Sequence, residues 1–258
     1  MRLERKIVRA AALGLLLATA AAAQEESLIR RGREIYLAEG CIHCHSQYVR
    51  PGSADEGRWG PAHPLAETTR ELPPLLGTRR QGPDLQNVGA RRNPEWLRLQ
   101  LQSPRALSPG SRMPAYGYLF RPGRGPDGEA LVAYLGSLGA DTRVAWRDEA
   151  NRWRPAPAAA GTLRAPARDY ADYCAGCHGA SGHGDGPLAR RLVTPPRDLV
   201  RAGWISFPPA TRGETERLAL ARIIKFGLPG SAMAGHEWLA DAGVLALAAY
   251  VQALRGTP

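Results

Sequence analysis

The chain is poor in the residues that fill most cores and staple most secreted folds. Among 258 residues there are four cysteines, three methionines and three phenylalanines, and aromatic residues make up only 7%. Four cysteines cannot frame a chain of this length, so a disulfide scaffold is excluded and their grouping matters more than their number. No uncharged apolar run reaches the roughly 20 residues of a membrane-crossing helix, which excludes a multi-span membrane protein. Alternating apolar and polar segments, the mark of half-buried strands, do not rise above noise. Blocks of like charge are also missing. The net charge of +10 comes from 34 basic and 24 acidic residues spread along the chain, which argues against a nucleic-acid tail. What remains is a mildly basic globular composition, 44% hydrophobic and 22% charged.

Export is written at the N-terminus. Arg2, Arg5, Lys6 and Arg9 precede an uncharged stretch, Ala10–Ala23, built around Leu13, Leu15, Leu16 and Leu17. It closes on small residues, with Ala21 and Ala23 at the positions a signal peptidase reads, before the polar Gln24-Glu25-Glu26. Basic, apolar and small, in that order, is a secretory pattern. As a helix the uncharged stretch spans about 21 Å, short of a ~30 Å hydrocarbon core. Residues 1–23 therefore read as a cleaved signal peptide in preference to an uncleaved anchor. The mature chain is expected to start near Gln24, in the periplasm or on the outer face of the inner membrane. Unpaired cysteines in that oxidising compartment need a use other than a disulfide.

The remainder contains one pattern twice. In residues 24–140 a helical run, Ile29–Ala38, leads into Cys41-Ile42-His43-Cys44-His45. A Gly82–Leu85 turn, a helix near Glu95–Gln102, a Met-Pro loop at Met113 and a helix over Gly128–Leu138 follow. In residues 167–258, Asp169–Tyr173 leads into Cys174-Ala175-Gly176-Cys177-His178. Then come a Pro195–Leu199 turn, a helix over Glu214–Phe226, a loop carrying Met233 and a helix over Ala240–Leu254. Residues 141–166, with Pro155, Pro157 and an alanine run, lack helical periodicity and read as a linker. Trp146 and Trp153 are unusual in a free linker and place part of it against a domain surface. The expected fold class is all-α, two tandem domains of a few helices with long loops. Each half is too small to build a large core from its side chains alone, so something else must fill its middle.

All four cysteines lie in the two Cys-x-x-Cys-His pentapeptides. On a helical turn the two thiols and the imidazole share one face. Cys41 and Cys44, and Cys174 and Cys177, can then form thioethers with one haem each, while His45 and His178 rise beneath the iron; this is the c-type haem attachment signature. A thioredoxin-like pair would need a preceding strand, a four-cysteine zinc site would leave both histidines idle, and two such short disulfide loops would be strained. Each histidine needs a carbonyl for its other ring nitrogen, with Pro83 and Pro195 or Pro196 as candidates. Apart from Met1, the methionines are Met113 and Met233, one per motif and each in a Gly/Pro/Ser-rich loop before the last helix of its half. They are the candidate second axial ligands, giving a low-spin iron of raised potential. His63, His183 and His236 are spare, and His236 is close to Met233.

These residues resemble known families. Asp169–Leu254 resembles a class I cytochrome c domain through Cys174–His178, the Pro-Pro-Arg-Asp-Leu turn, Gly227–Met233 and Tyr250. Most of Arg31–Leu119 resembles the mono-haem subunit II of cbb3-type cytochrome oxidases. The shared stretches are Gly32–Tyr36, Gly40–Pro51, Arg58-Trp59-Gly60, Gly77–Leu85, Val88-Gly89 and Ser111–Tyr116. By that resemblance His45 and Met113 are the axial pair of the first haem. The chain departs from the family in its short N-terminal apolar segment, in Leu97 where a histidine is common, and in its appended second domain. The two motifs, the export signal and the resemblance together imply a periplasmic di-haem electron carrier with two covalent haem c groups. It would serve redox partner proteins such as a membrane haem-copper oxidase, with neither nucleic acid nor a small-molecule substrate as partner. A di-haem peroxidase with one displaceable axial ligand is the alternative. Ser46, Gln47 and Arg50, and Ala180, Ser181 and Gly182, are the expected docking residues beside the two motifs. Arg50, Arg79 and Arg80 would face either a haem propionate or an acidic partner.

Overall fold

The computed structural model describes residues 2–77, 80–156, 164–201 and 215–256, with the backbone alone for 2–13, 15 and 16. Its regular elements are all helical. In the N-terminal part they are α1 (Arg2–Ala38), α2 (Ala54–Trp59), α3 (Leu65–Thr68), α4 (Val88–Arg91), α5 (Pro94–Gln102), α6 (Pro104–Leu107) and α7 (Asp127–Ser137). After α8 (Arg143–Arg152), the C-terminal part has α9 (Pro166–Tyr173), α10 (Ala175–His178), α11 (Glu216–Phe226) and α12 (Asp241–Ala253). The one β-feature among the described residues is an isolated bridge between Gly227 and Ala234.

The two halves share a packing plan. In each, the helix leading into the Cys-x-x-Cys-His turn crosses the last helix of its domain. In the first domain α1 crosses α7, with Ile35 and Tyr36 buried against Leu131, Tyr134 and Leu135. The crossing is close because Gly32 has no side chain: a Cβ there would lie 2.0 Å from the Ala130 carbonyl oxygen. In the second, α9 meets α12 and α11, with Tyr170 packed among Leu220, Ile224, Val244, Leu247 and Val251. Each crossing carries a tyrosine pair, Tyr36–Tyr134 at 5.6 Å and Tyr170–Tyr250 at 5.4 Å between ring centroids.

Helix α1 runs without interruption through the expected cleavage point. Residues 17–27 are exposed, and packing on the core begins at Leu28 and Ile29. No helix among the described residues is long and apolar enough to cross a membrane.

Part of the region read as a linker is a structural element. Residues 143–152 form α8, which buries Trp146 and Ala150. Trp146 meets Phe226 of α11 edge to face at 5.4 Å, Trp153 meets the same ring at 5.7 Å, and Arg143 Nε donates to the Gly89 carbonyl at 3.1 Å. The sequence pattern concealed this helix because its buried face is only one tryptophan and one alanine wide. The expected contact of Trp146 and Trp153 with a domain surface is present. Pro157 and Glu214 lie outside the described residues.

Candidate haem sites

At the first motif, α1 ends at Ala38 and the chain reverses at Gly40, whose φ of +70° suits glycine. A 3-10 turn over Cys41–His43 and the bond from His45 N to the Cys41 carbonyl, 3.0 Å, put Cys41, Cys44 and His45 on one turn. His45 Nδ1 lies 2.8 Å from the Pro83 carbonyl oxygen. That segment is pinned flat against the ring, for Gln81 N and Gly82 N both donate to the Cys44 carbonyl at 2.9 Å. Gly82 is required here, since a Cβ would fall 2.4 Å from His45 Cε1. Beneath it the buried Asp84 carboxylate accepts from Ser46 Oγ, Tyr48 N and Gln86 N. Met113 and Cys41 both pack on the same cluster, which includes Leu97, Leu101 and Tyr116. Met113 N donates to Ser111 Oγ at 3.3 Å, and Gln100 Nε2 sits 3.3 Å from the Met113 sulfur.

The second motif repeats this with different loops. His178 N donates to the Cys174 carbonyl at 2.9 Å. Its Nδ1 lies 3.1 Å from the carbonyl oxygen of Arg197, not of Pro195 or Pro196. The Leu199 N to Gly182 O bond, 2.6 Å, together with Gly184 N to His178 O, 2.8 Å, draws the strand of chain one or two residues further than the proline pair suggested. Met233 N donates to Ser231 Oγ at 3.1 Å, so both methionines sit in a Ser-x-Met turn with the same local bond. The Leu228 N to Met233 O bond, 2.9 Å, closes the loop.

A carbonyl oxygen can only accept, so both Nδ1 atoms carry the proton and both Nε2 atoms keep a lone pair. Burial lowers the pKa of His45 and of His178, against the opposing effect of their carbonyl bonds, which favours the neutral ring a metal needs. None of the four cysteines is disulfide-bonded, which removes the two-disulfide reading. Burial pushes the Cys41 thiol up to about 11 and the Cys174 thiol up to about 12, the reverse of a reactive redox pair. No three His, Cys, Asp or Glu side chains among the described residues gather as a metal's ligand set, so the four-cysteine zinc site does not form. Two thiols and one imidazole lone pair on each turn, with a methionine loop in the same domain, fit a covalently attached iron porphyrin.

Other expectations fare differently. Ser46 and Gln47 are buried, not docking residues: Ser46 serves Asp84, and Gln47 accepts from the Tyr134 hydroxyl at 3.0 Å. Gly182 is buried too, whereas Arg50, Ala180 and Ser181 are exposed. Arg80 makes a bidentate pair with Asp55, 2.7 Å at each nitrogen, so it is already matched within the protein; Arg79 lies outside the described residues. His63 is half-buried and His183 pairs with Asp198 at 3.3 Å. His236 is buried, donates from Nδ1 to the Ile224 carbonyl and stacks among Tyr173 and Trp238. Gln100 escaped the sequence reading, because nothing in its spacing marks it as a neighbour of Met113.

Residues 19–127 match the family described as cytochrome C oxidase, mono-heme subunit/FixO. Residues 161–251 match cytochrome C oxidase, cbb3-type, subunit III. No curated protein matches the chain. Among solved structures, a chain of the reducing HAO-like protein complex of Kuenenia stuttgartiensis is similar at 19% identity and a TM-score of 0.31, covering 87% of this chain and 95% of that one. The two family matches fall on the two domains that the Cys-x-x-Cys-His turns define. The chain is a haem-based electron-transfer cytochrome with two cytochrome c-type domains in tandem, the first of the cbb3 oxidase mono-haem subunit type and the second of the cbb3-type cytochrome c type.

Proposed function

We propose that this protein is an exported, periplasmic di-haem cytochrome c, with residues 1–23 as its signal peptide, that relays single electrons to or within a cbb3-like haem-copper oxidase. In this reading residues 24–140 and 167–258 are the two haem domains. Cys41 and Cys44 anchor one haem c and Cys174 and Cys177 the other, and His45 with Met113 and His178 with Met233 are the axial ligands. A haem iron so ligated supplies a reversible one-electron couple. The chain's own residues fix its setting. Pro83 and Arg197 orient the two imidazoles and raise their basicity, the buried Tyr36, Tyr134 and Tyr170 exclude water behind the turns, and the Ser-x-Met turns aim the thioethers.

The observation that carries the proposal is the repetition: two turns with cysteines outside any disulfide and a carbonyl-oriented histidine, each with a Ser-x-Met loop in the same domain. Two complete sets leave no coordination position for a substrate, which favours an electron carrier over the peroxidase alternative. Two measurements test it together. The intact mass of the mature exported protein should exceed its polypeptide by two haem groups, and carbon monoxide should leave the spectrum of the reduced protein nearly unchanged. An excess of one haem would remove a motif from the argument, and a large shift with carbon monoxide would favour the peroxidase.

A further inference from the structure

The Met233 loop is held from the wrong domain. Arg92, just past α4 in the first domain, reaches across to Glu237 with two parallel bonds, Nη1 to Oε1 at 2.7 Å and Nη2 to Oε2 at 2.8 Å. Its Nη2 also donates to the Gly235 carbonyl at 2.9 Å, and its Nη1 to the Arg91 carbonyl at 3.0 Å. The guanidinium stacks over Trp96 at 4.9 Å from the ring centroid. Arg91 stands 3.6 Å from the same carboxylate, between the rings of Trp59 and Trp146. The Arg92 side chain is 4% exposed and that of Glu237 0%, so water contributes nothing to holding either. The neighbouring Asn93 adds a bond to the Gly230 carbonyl at 3.5 Å.

All three points of attachment, Gly230, Gly235 and Glu237, belong to the segment that carries Met233. Its own domain ties that segment at its ends, through Gly227 paired with Ala234 and His236 N bonded to the Ile224 carbonyl at 2.9 Å. The loop's own bonds, Leu228 N to Met233 O and Met233 N to Ser231 Oγ, shape it locally, and a planar fork that fixes a carboxylate and a carbonyl together sets where that shaped loop sits against the first domain.

We propose that Arg92 of the first domain is the positioning residue for the Met233 loop of the second, so that the first domain sets the iron ligation, and through it the potential, of the second haem. This rests on Met233 being an axial ligand. The loaded full-length protein is titrated spectroelectrochemically, and the near-infrared charge-transfer band of oxidised His/Met haem is recorded, in wild type, Arg92→Gln, Arg92→Lys and Met233→Leu. Met233→Leu identifies the share of the band, and the potential, that belong to the second haem. Arg92→Gln should reduce that share and lower that potential while the first haem keeps its own. Arg92→Lys keeps the charge opposite Glu237 but cannot span to Gly235; it should reduce the same share of the band and lower the same potential in part, and it carries the test where Arg92→Gln fails to fold. A folded Arg92 variant with both potentials and the full band overturns the proposal, as does an equal fall at both haems. A full band in Met233→Leu would instead overturn the ligand assignment itself.

Discussion

Arg92 and Glu237, 145 residues apart in the chain, meet in a fully buried two-bond ion pair that joins the two domains. Burial alone would raise the Glu237 carboxyl, but the charge and hydrogen bonds of Arg92, helped by Arg91, outweigh it and hold the group down at about 2. A carboxyl depressed below its unfolded value near 4.5 contributes stability that is complete above that value and disappears as pH falls toward 2.

Acid should therefore weaken this pair as pH falls from about 4.5 toward 2. Melting followed between pH 5 and pH 2 should show a fall in stability on the order of 3 kcal/mol from this group. Glu237→Gln should flatten that part of the profile. At neutral pH it should cost roughly 3–5 kcal/mol, because two buried guanidinium groups then lack a counter-charge. An unchanged acid limb in the variant would assign the loss to other carboxylates.

In the proposed ligation, the Gln100 amide beside the Met113 sulfur bears on the first haem. A thioether sulfur has a second lone pair, and a donor to it withdraws density from the bond to iron, which disfavours the oxidised state. Gln100→Leu should lower the potential of the first haem by roughly 20–60 mV, the one-electron equivalent of one ordinary hydrogen bond. The near-infrared band should survive in that variant, whereas Met113→Leu should remove about half of it. A band left whole by Met113→Leu would hand the axial position to another group.

Gly82→Ala tests the fit of the chain against the proximal ring. The added Cβ, 2.4 Å from His45 Cε1, must displace either the ring or the segment that supplies the Pro83 carbonyl. Strain of this kind costs about 1–3 kcal/mol. Thermal melting should show the loss, and the potential of the first haem should shift while that of the second holds. A wild-type melt and potential would mean that the segment yields freely.

The candidate attachment residues were readable in the chain because the proposed attachment is local. Two thiols and an imidazole within five residues need only one turn to share a face, and Met113 and Met233 stand out because the chain has so few methionines. The all-α class followed from the absence of strand alternation, and α5, α7, α11 and α12 lie within a residue or two of where the sequence places them. The Arg197 carbonyl did not follow, since which oxygen reaches His178 depends on how Gly182 and Leu199 close the loop.

By itself the sequence determined the two Cys-x-x-Cys-His turns, their histidines, the candidate methionines and the tandem helical plan, since each depends on neighbours a few residues apart. Only the tertiary structure decided that residues 143–152 form a helix wedged on Phe226, that Ser46 and Gln47 are buried, that Gln100 faces Met113, and that Arg92 grips the Met233 loop. The physical reason is distance along the chain. Arg92 and Asn93 are two polar residues among many, and nothing local distinguishes a solvated arginine from one whose counter-charge lies in another domain. Burial and pairing are properties of the folded packing, and they appear only when both domains are in place.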